Sequence, residues 1–161
     1  MTLRADLGLL WDRIAIEDLI TGYAVAVDDG DWEAYRGLFA PGGRADYTSA
    51  GGIAGPAAEV AEWLAGTMTL FPVRQHLIVN RRVRAPEGYR SVGDPAWAGA
   101  DFLNPMRLVD PADPVPAEGS PGVPNFCAAG RYSFSLTRVA EPHDWRFAEV
   151  VVREKWKHLA G

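Results

Sequence analysis

The sequence predicts an α+β domain with helices packed on one face of an antiparallel sheet, and three observations point there. Apolar residues recur at helical spacing through roughly the first seventy residues, and alternating, β-branched segments fill most of the rest. A short turn joins the last two of those segments as a hairpin. Helices first and strands after is the order expected when helices cover one face of an antiparallel sheet. A chain of 161 residues, 48% hydrophobic and 23% charged and without a visible repeat, is expected to form one domain over residues 1–161.

The first helix is expected over about residues 9–27, where Ile16, Leu19, Ile20, Tyr23, Ala24 and Val27 form an apolar stripe. Asp28-Asp29-Gly30 closes it, because glycine takes the left-handed conformation that follows a last turn. Asp31 caps a second helix over about residues 32–39, so two helices meet at an acidic corner. Pro41-Gly42-Gly43 breaks the pattern, and residues 45–48 read as a short strand. Gly51, Gly52 and Gly55 form a turn leading to Pro56, which suits the first position of a third helix ending near residue 70.

Residues 73–83 read as one strand, with Arg74, His76, Ile78 and Asn80 on one face and Gln75, Leu77, Val79 and Arg81 on the other. Three more strands are expected over residues 96–103, 130–139 and 145–156, the last two joined by Glu141-Pro142-His143-Asp144. Six of the twelve prolines fall between Asn104 and Asn125. Such a segment is expected to be a long loop at about residues 104–125, either a lid or an insertion, and not a central strand.

Composition removes several classes of function. A net charge of −5, with no basic run beyond Arg81, Arg82 and Arg84, speaks against a nucleic-acid partner. No stretch approaches the roughly 18 to 20 apolar residues of a membrane span, and the opening Met-Thr-Leu-Arg-Ala-Asp lacks a signal core, so a soluble, cytoplasmic protein without membrane contact is expected. The single cysteine, Cys127, cannot form an internal disulfide, and no Cys/His cluster has metal spacing. With no phosphate-binding glycine loop or nucleophile elbow either, neither metal nor cofactor is expected.

His76 is the histidine best placed for proton transfer, since His143 lies in the hairpin turn and His158 near the C-terminus, where solvated side chains are expected. A carboxylate from the acidic corner would orient the His76 ring and stabilise its imidazolium, making it a general base. The plainer reading is a histidine bonded to backbone for structure. Tyr23, on the apolar face of the first helix, and Tyr47, on the first strand, either donate their hydroxyls to a substrate oxygen or fill the core.

The run Asp12-Arg13-Ile14-Ala15-Ile16-Glu17-Asp18-Leu19-Ile20, then Gly22-Tyr23, Val27-Asp28-Asp29-Gly30-Asp31-Trp32-Glu33-Ala34 and Leu38-Phe39-Ala40-Pro41, resembles the opening of the SnoaL-like proteins. The resemblance continues through Gln75-His76-Leu77-Ile78-Val79-Asn80 to Gly130-Arg131-Tyr132, Arg138, Trp145-Arg146 and Trp156. These proteins belong to the nuclear transport factor 2 superfamily, with scytalone dehydratase, bile-acid 7α-dehydratase, hexachlorocyclohexane dehydrochlorinase, ketosteroid isomerase and the polyketide cyclases. The resemblance implies a cone-like α+β barrel, a curved antiparallel sheet wrapped around the N-terminal helices with a pocket at one end.

It also implies that Asp28 and His76 are the Asp–His pair of the dehydratases and the dehydrochlorinase, and that Tyr23 is a site tyrosine. Tyr47 falls on the strand that carries a pocket tyrosine in dehydratases and the general-base aspartate in the isomerase, which disfavours steroid-isomerase chemistry. Val150 falls where the dehydrochlorinase and the bile-acid dehydratase place an arginine, which weakens dehydrohalogenation and favours a neutral, apolar substrate. Asn80, Asp101 and Trp63 are expected to bind substrate.

The function expected from this resemblance is a cofactor-free lyase or isomerase, most simply a dehydratase of a hydroxylated cyclic substrate of polyketide, steroid or aromatic type. His76, held by Asp28, would take a proton next to a carbonyl while Tyr23 and Tyr47 bond the developing enolate or the departing hydroxyl. The alternatives are a polyketide cyclase-type enzyme and a non-catalytic small-molecule-binding or assembly module, the latter expected to have a plugged pocket. A homodimer or homotrimer through the outer face of the sheet is expected, with Leu77, Val79, Phe147 and Val151 as contact residues.

Overall fold

The computed structural model describes residues 3–85, 87, 91–109 and 122–160. Among them are helices α1 (Leu3–Asp29), α2 (Trp32–Gly37) and α3 (Ala57–Thr67). The strands are β1 (Phe39–Asp46), β2 (Ala54–Pro56), β3 (Val73–Arg74), β4 (Leu77–Arg84), β5 (Pro95–Arg107), β6 (Phe126–Ala140) and β7 (Asp144–Leu159), with 3₁₀ turns at Thr48–Ala50 and Met68–Leu70. The sheet runs β2-β1-β7-β6-β5, and β3 and β4 both pair with the far side of β5. Every pairing is antiparallel except β1 with β7, which is parallel. The sheet curves around the helices without closing, so the expected α+β cone is present as an open half-barrel. No helix among the described residues is long and apolar enough to cross a membrane.

The stripe on α1 explains why the sheet wraps it. Ile16, Ile20, Tyr23 and Val27 are all 1% exposed or less. They join one core with Ala98, Ala100 and Phe102 of β5, Tyr132, Phe134 and Leu136 of β6, and Phe147, Val150 and Val152 of β7. Each large side chain buried there contributes on the order of 1.5–3 kcal/mol. Phe147, expected on the outer face, belongs to this core, because the ladder with β6 shifts register between Phe147 and Glu149, which leaves Phe147 in phase with buried Trp145 and out of phase with Val151. The end of α1 is as read: Gly30 sits at φ +69°, its N–H reaches Val27 O at 3.3 Å, and Asp31 N–H reaches Ala26 O at 2.9 Å, a Schellman cap.

Three expectations about strands need correction. Pro41-Gly42-Gly43 does not break the chain out of the sheet; it forms an irregularity within β1, where the pairing with β7 shifts register between Phe39 and Arg44. Here the stretch that disrupts regular pairing bulges a strand instead of ending it. The expected strand 73–83 is split, since Gln75 and His76 leave the ladder between β3 and β4. A second shift falls between Val79 and Arg82, with Asn80 at φ +53°. Finally, β5 continues through Pro105 to Arg107, where a loop was expected. Pro105 O accepts from Gln75 N at 3.2 Å, so the side on which proline lacks an N–H faces the gap between β3 and β4, and its pairing with Cys127 of β6 is kept. The expected lid falls largely on residues 110–121, outside the described residues.

The start of α1 is tied to the β6–β7 hairpin by a buried polar cluster. Asp12 accepts from Arg138 Nη1 and Nη2 at 2.9 and 3.1 Å and from Trp145 Nε1 at 3.0 Å, and His143 Nδ1 lies 2.7 Å from its Oδ1. Asp12 and Arg138 side chains are fully buried. His143, expected to be solvated, is therefore part of a structural cluster, which the turn's sequence alone did not reveal.

Candidate active site

The split between β3 and β4 is where the site begins. Having left the ladder, His76 needs another acceptor for its main-chain N–H, and Asp28 in the last turn of α1 supplies it: N–H to Oδ2 is 2.9 Å and to Oδ1 3.2 Å. The same carboxylate lies 2.6 Å from His76 Nδ1. Because a carboxylate only accepts, Nδ1 carries a proton, and in the neutral ring this leaves the lone pair on Nε2. Arg74 keeps the corner in place, donating from Nε to Asp28 O at 2.9 Å and from Nη1 to Met68 O at 3.0 Å. The His76 side chain is 8% exposed and that of Asp28 22%.

His76 lines a cavity of about 200 Å³ together with Tyr23, Tyr47 and Trp63. The Tyr23 and Tyr47 hydroxyls are hydrogen-bonded to each other, and Tyr35 Oη lies 3.4 Å from Tyr47 Oη. Burial pushes the Tyr23 and Tyr47 hydroxyls well above their ordinary range and pushes Tyr132 up to about 12, so all three stay protonated and able to donate. Trp63 of α3 packs against Tyr47 with ring centroids 5.9 Å apart. A Cβ at Gly52 would stand 2.5 Å from the Trp63 indole, so only glycine leaves this seat open.

Asp28, His76, Tyr23, Tyr47 and Trp63 thus come together. Asn80 and Asp101 do not. Both lie on the outer surface of the sheet, where Asn80 Nδ2 donates to Asp101 Oδ2 at 3.1 Å and Arg131 Nε to Oδ1 at 2.8 Å. The Arg131 hydrogen bond holds the Asp101 carboxyl down at about 2. The reason is phase. Ala98, Ala100, Phe102, Asn104 and Met106 are the inward residues of β5, which turns Asp101 outward, and the positive φ of Asn80 swings it off the face of Ile78.

Among the polar residues of the cavity wall that were missed are Asn104, Tyr132 and Glu154. Their signal was in the sequence, since Asn104 is two residues beyond Phe102, Tyr132 two before Phe134, and Glu154 two beyond Val152. Asn104 is 5% exposed, and its Oδ1 has no hydrogen-bond partner among the described residues. That oxygen is a buried acceptor left unmet in the wall. Much of the remaining wall is apolar, including Val27, Met68, Phe71, Phe102 and Met106.

Comparison with known proteins places the fold. The model of the SnoaL-like domain matches residues 9–151. The chain belongs to the SnoaL-like family. It is 32% identical over 95 residues to the uncharacterized protein Rv2910c of Mycobacterium tuberculosis (strain ATCC 25618 / H37Rv), a stretch that is 59% of this chain and 60% of that protein. The chain therefore spans about three-fifths of the length of the curated relatives it matches. Among solved structures, a scytalone dehydratase-like protein from Novosphingobium aromaticivorans DSM 12444 superposes with a TM-score of 0.71 at 17% identity, covering 96% of this chain and 91% of that one. Hexachlorocyclohexane dehydrochlorinase LinA-type3 from Novosphingobium barchaimii LL02 superposes with a TM-score of 0.67 at 18% identity, over 97% and 94% of the two chains. At these identities the likeness is one of fold. The SnoaL-like fold has neighbours named as dehydratases and dehydrochlorinases, and a shared scaffold does not carry an activity with it.

Proposed function

We propose that this SnoaL-like protein is a cofactor-independent lyase, a dehydratase that removes water from a small hydroxylated cyclic ketone. The observation that carries this reading is the 2.6 Å contact between Asp28 Oδ1 and His76 Nδ1 on the wall of an open, largely apolar cavity. Nε2 takes the proton α to the substrate carbonyl, and Asp28 stabilises the imidazolium that results. The C–H electron pair moves into an enolate, whose oxygen is met by the protonated Tyr23 and Tyr47 hydroxyls. Collapse of the enolate forms the C=C bond and expels the β-hydroxyl, which leaves as water with the proton held by His76.

The cavity volume of about 200 Å³ lies below the roughly 300–1,000 Å³ of sites for drug-sized ligands, which supports a substrate of one or two rings over a steroid. An open cavity also favours an enzyme over a binding module with a plugged cone. Exposed Leu77, Val79, Leu103 and Trp156 support self-association as a homodimer or homotrimer. The test is a panel of one- and two-ring β-hydroxy ketones in deuterated water, followed by enone absorbance and by NMR of α-hydrogen exchange. Replacing His76 with alanine is expected to lower both rates by about 10²–10⁴. A panel on which wild-type protein and His76→Ala behave alike would overturn the proposal.

A further inference from the structure

The cavity has one more charged side chain than the dehydratase reading uses. Glu154 stands on β7 in phase with Val150 and Val152, the inward residues of that strand. Its pairing with Gly130 is followed by a register shift, the next matched pair being Ala129 with Trp156. Its main-chain N–H is held by Ser49 Oγ at 2.9 Å, and Ser49 Oγ in turn donates to Val152 O at 2.6 Å. These bonds fix the backbone from which the side chain enters the wall. That side chain is 13% exposed, while Lys157, 3.3 Å away, is 55% exposed. No lysine or arginine lines the cavity among the described residues. An incoming molecule therefore meets a carboxylate, with its nearest cation on the solvent side.

We propose that Glu154 sets the charge class of the substrate: its carboxylate accepts a hydrogen bond from a hydroxyl or amino group on the ring system and turns away rings that carry a carboxylate or phosphate. The chemistry is that of selection by repulsion as well as attraction, since an anion brought against a shielded carboxylate loses water and gains no partner. Glu154 would then accept, so the substrate it suits presents a donor at that position. This rests on the cavity being the substrate site.

The test is calorimetric titration of the full chain with a neutral and an anionic probe of the same shape, 2-naphthol and 2-naphthoate. Wild-type protein is expected to prefer 2-naphthol by about tenfold or more. In Glu154→Gln the preference is expected to collapse through tighter binding of 2-naphthoate, in Glu154→Asp to persist, and in Lys157→Ala to widen. Because the Ser49 bond involves only the main chain of Glu154, these variants are expected to keep the wild-type circular dichroism. If both probes bind and the preference is the same in all four proteins, Glu154 does not select charge and the substrate-site reading stands. If neither probe binds any of the four, the substrate-site reading falls and this inference with it.

Discussion

Asp28 holds His76 twice over, taking the main-chain N–H at 2.9 Å on Oδ2 and the ring Nδ1 at 2.6 Å on Oδ1. One residue thus sets where the strand stops and which ring nitrogen keeps its lone pair. Asp28→Asn retains an oxygen for one of the two bonds, so the fold is expected to survive with a melting temperature within a few degrees of wild type. Turnover is expected to fall by about 10³–10⁴, because the carboxylate no longer orients the imidazole or stabilises its charged form. Asp28→Ala is expected to add a stability loss of about 1–3 kcal/mol by stranding the His76 N–H. Urea unfolding alongside turnover separates the two effects, and unchanged turnover in Asp28→Asn would reduce Asp28 to a structural role.

Asn104 leads to a prediction of the opposite kind. Replacing it with leucine removes a buried acceptor that has no partner, and also removes a hydrogen bond toward Tyr132. These oppose each other, so stability is expected to move by less than about 1 kcal/mol. Binding of a hydroxylated ring is expected to weaken by about tenfold, since an unmet substrate hydroxyl in a dry wall costs free energy. A large stability loss with unchanged binding would assign Asn104 to the fold alone.

The buried tyrosines make a prediction about alkaline pH. Four of the five tyrosines, at 23, 35, 47 and 132, are raised above the usual value by burial. Tyr132 stands at about 12 in the folded state, against about 10 when unfolded. Between those values the unfolded chain has lost protons that the folded chain keeps, so stability is intact below about pH 10 and falls as pH rises toward 12. Absorbance titration of tyrosinate is expected to show no more than one tyrosine ionising before the cooperative loss of circular dichroism. Smooth ionisation of several tyrosines in a protein that stays folded would contradict the buried hydroxyl cluster.

The pair of Asp12 and Arg138 predicts the largest stability effect outside the core. Both side chains are fully buried, so Asp12→Ala leaves a guanidinium without its bidentate acceptor. The expected loss is about 3–5 kcal/mol by urea unfolding. A loss below about 1 kcal/mol would show that Pro142 O and Asp94, which also meet the guanidinium, hold it without Asp12.

Much of this was readable because the informative residues repeat. The stripe of Ile16, Ile20, Tyr23 and Val27 announced α1, and Gly30 its end. The Asp28–His76 pair was legible by resemblance, and the geometry supplied what resemblance could not, the bond to the His76 main chain. Asn80 and Asp101 were misplaced for two different reasons. Asp101 follows simple alternation, which Ala98, Ala100 and Phe102 already marked as opposite in phase. Asn80 depended on a bulge, and a bulge is set by tertiary contacts such as Arg81 reaching Glu17 O at 2.8 Å on α1. Pro105 within β5 was hidden because the effect of a proline depends on which neighbour it faces.

The interruption at Gln75 and His76 reaches beyond the chemistry. An open sheet has two margins, and a long flat margin invites pairing with another chain. One margin here is β2, three residues long. The other is broken into β3 and β4 and bulged again at Asn80, so among the described residues its row of N–H and C=O groups is interrupted twice. The gap that hands His76 to Asp28 also denies a foreign strand a template. Repairing it to a continuous strand, for a sturdier scaffold, would be expected to trade activity for a tendency to aggregate.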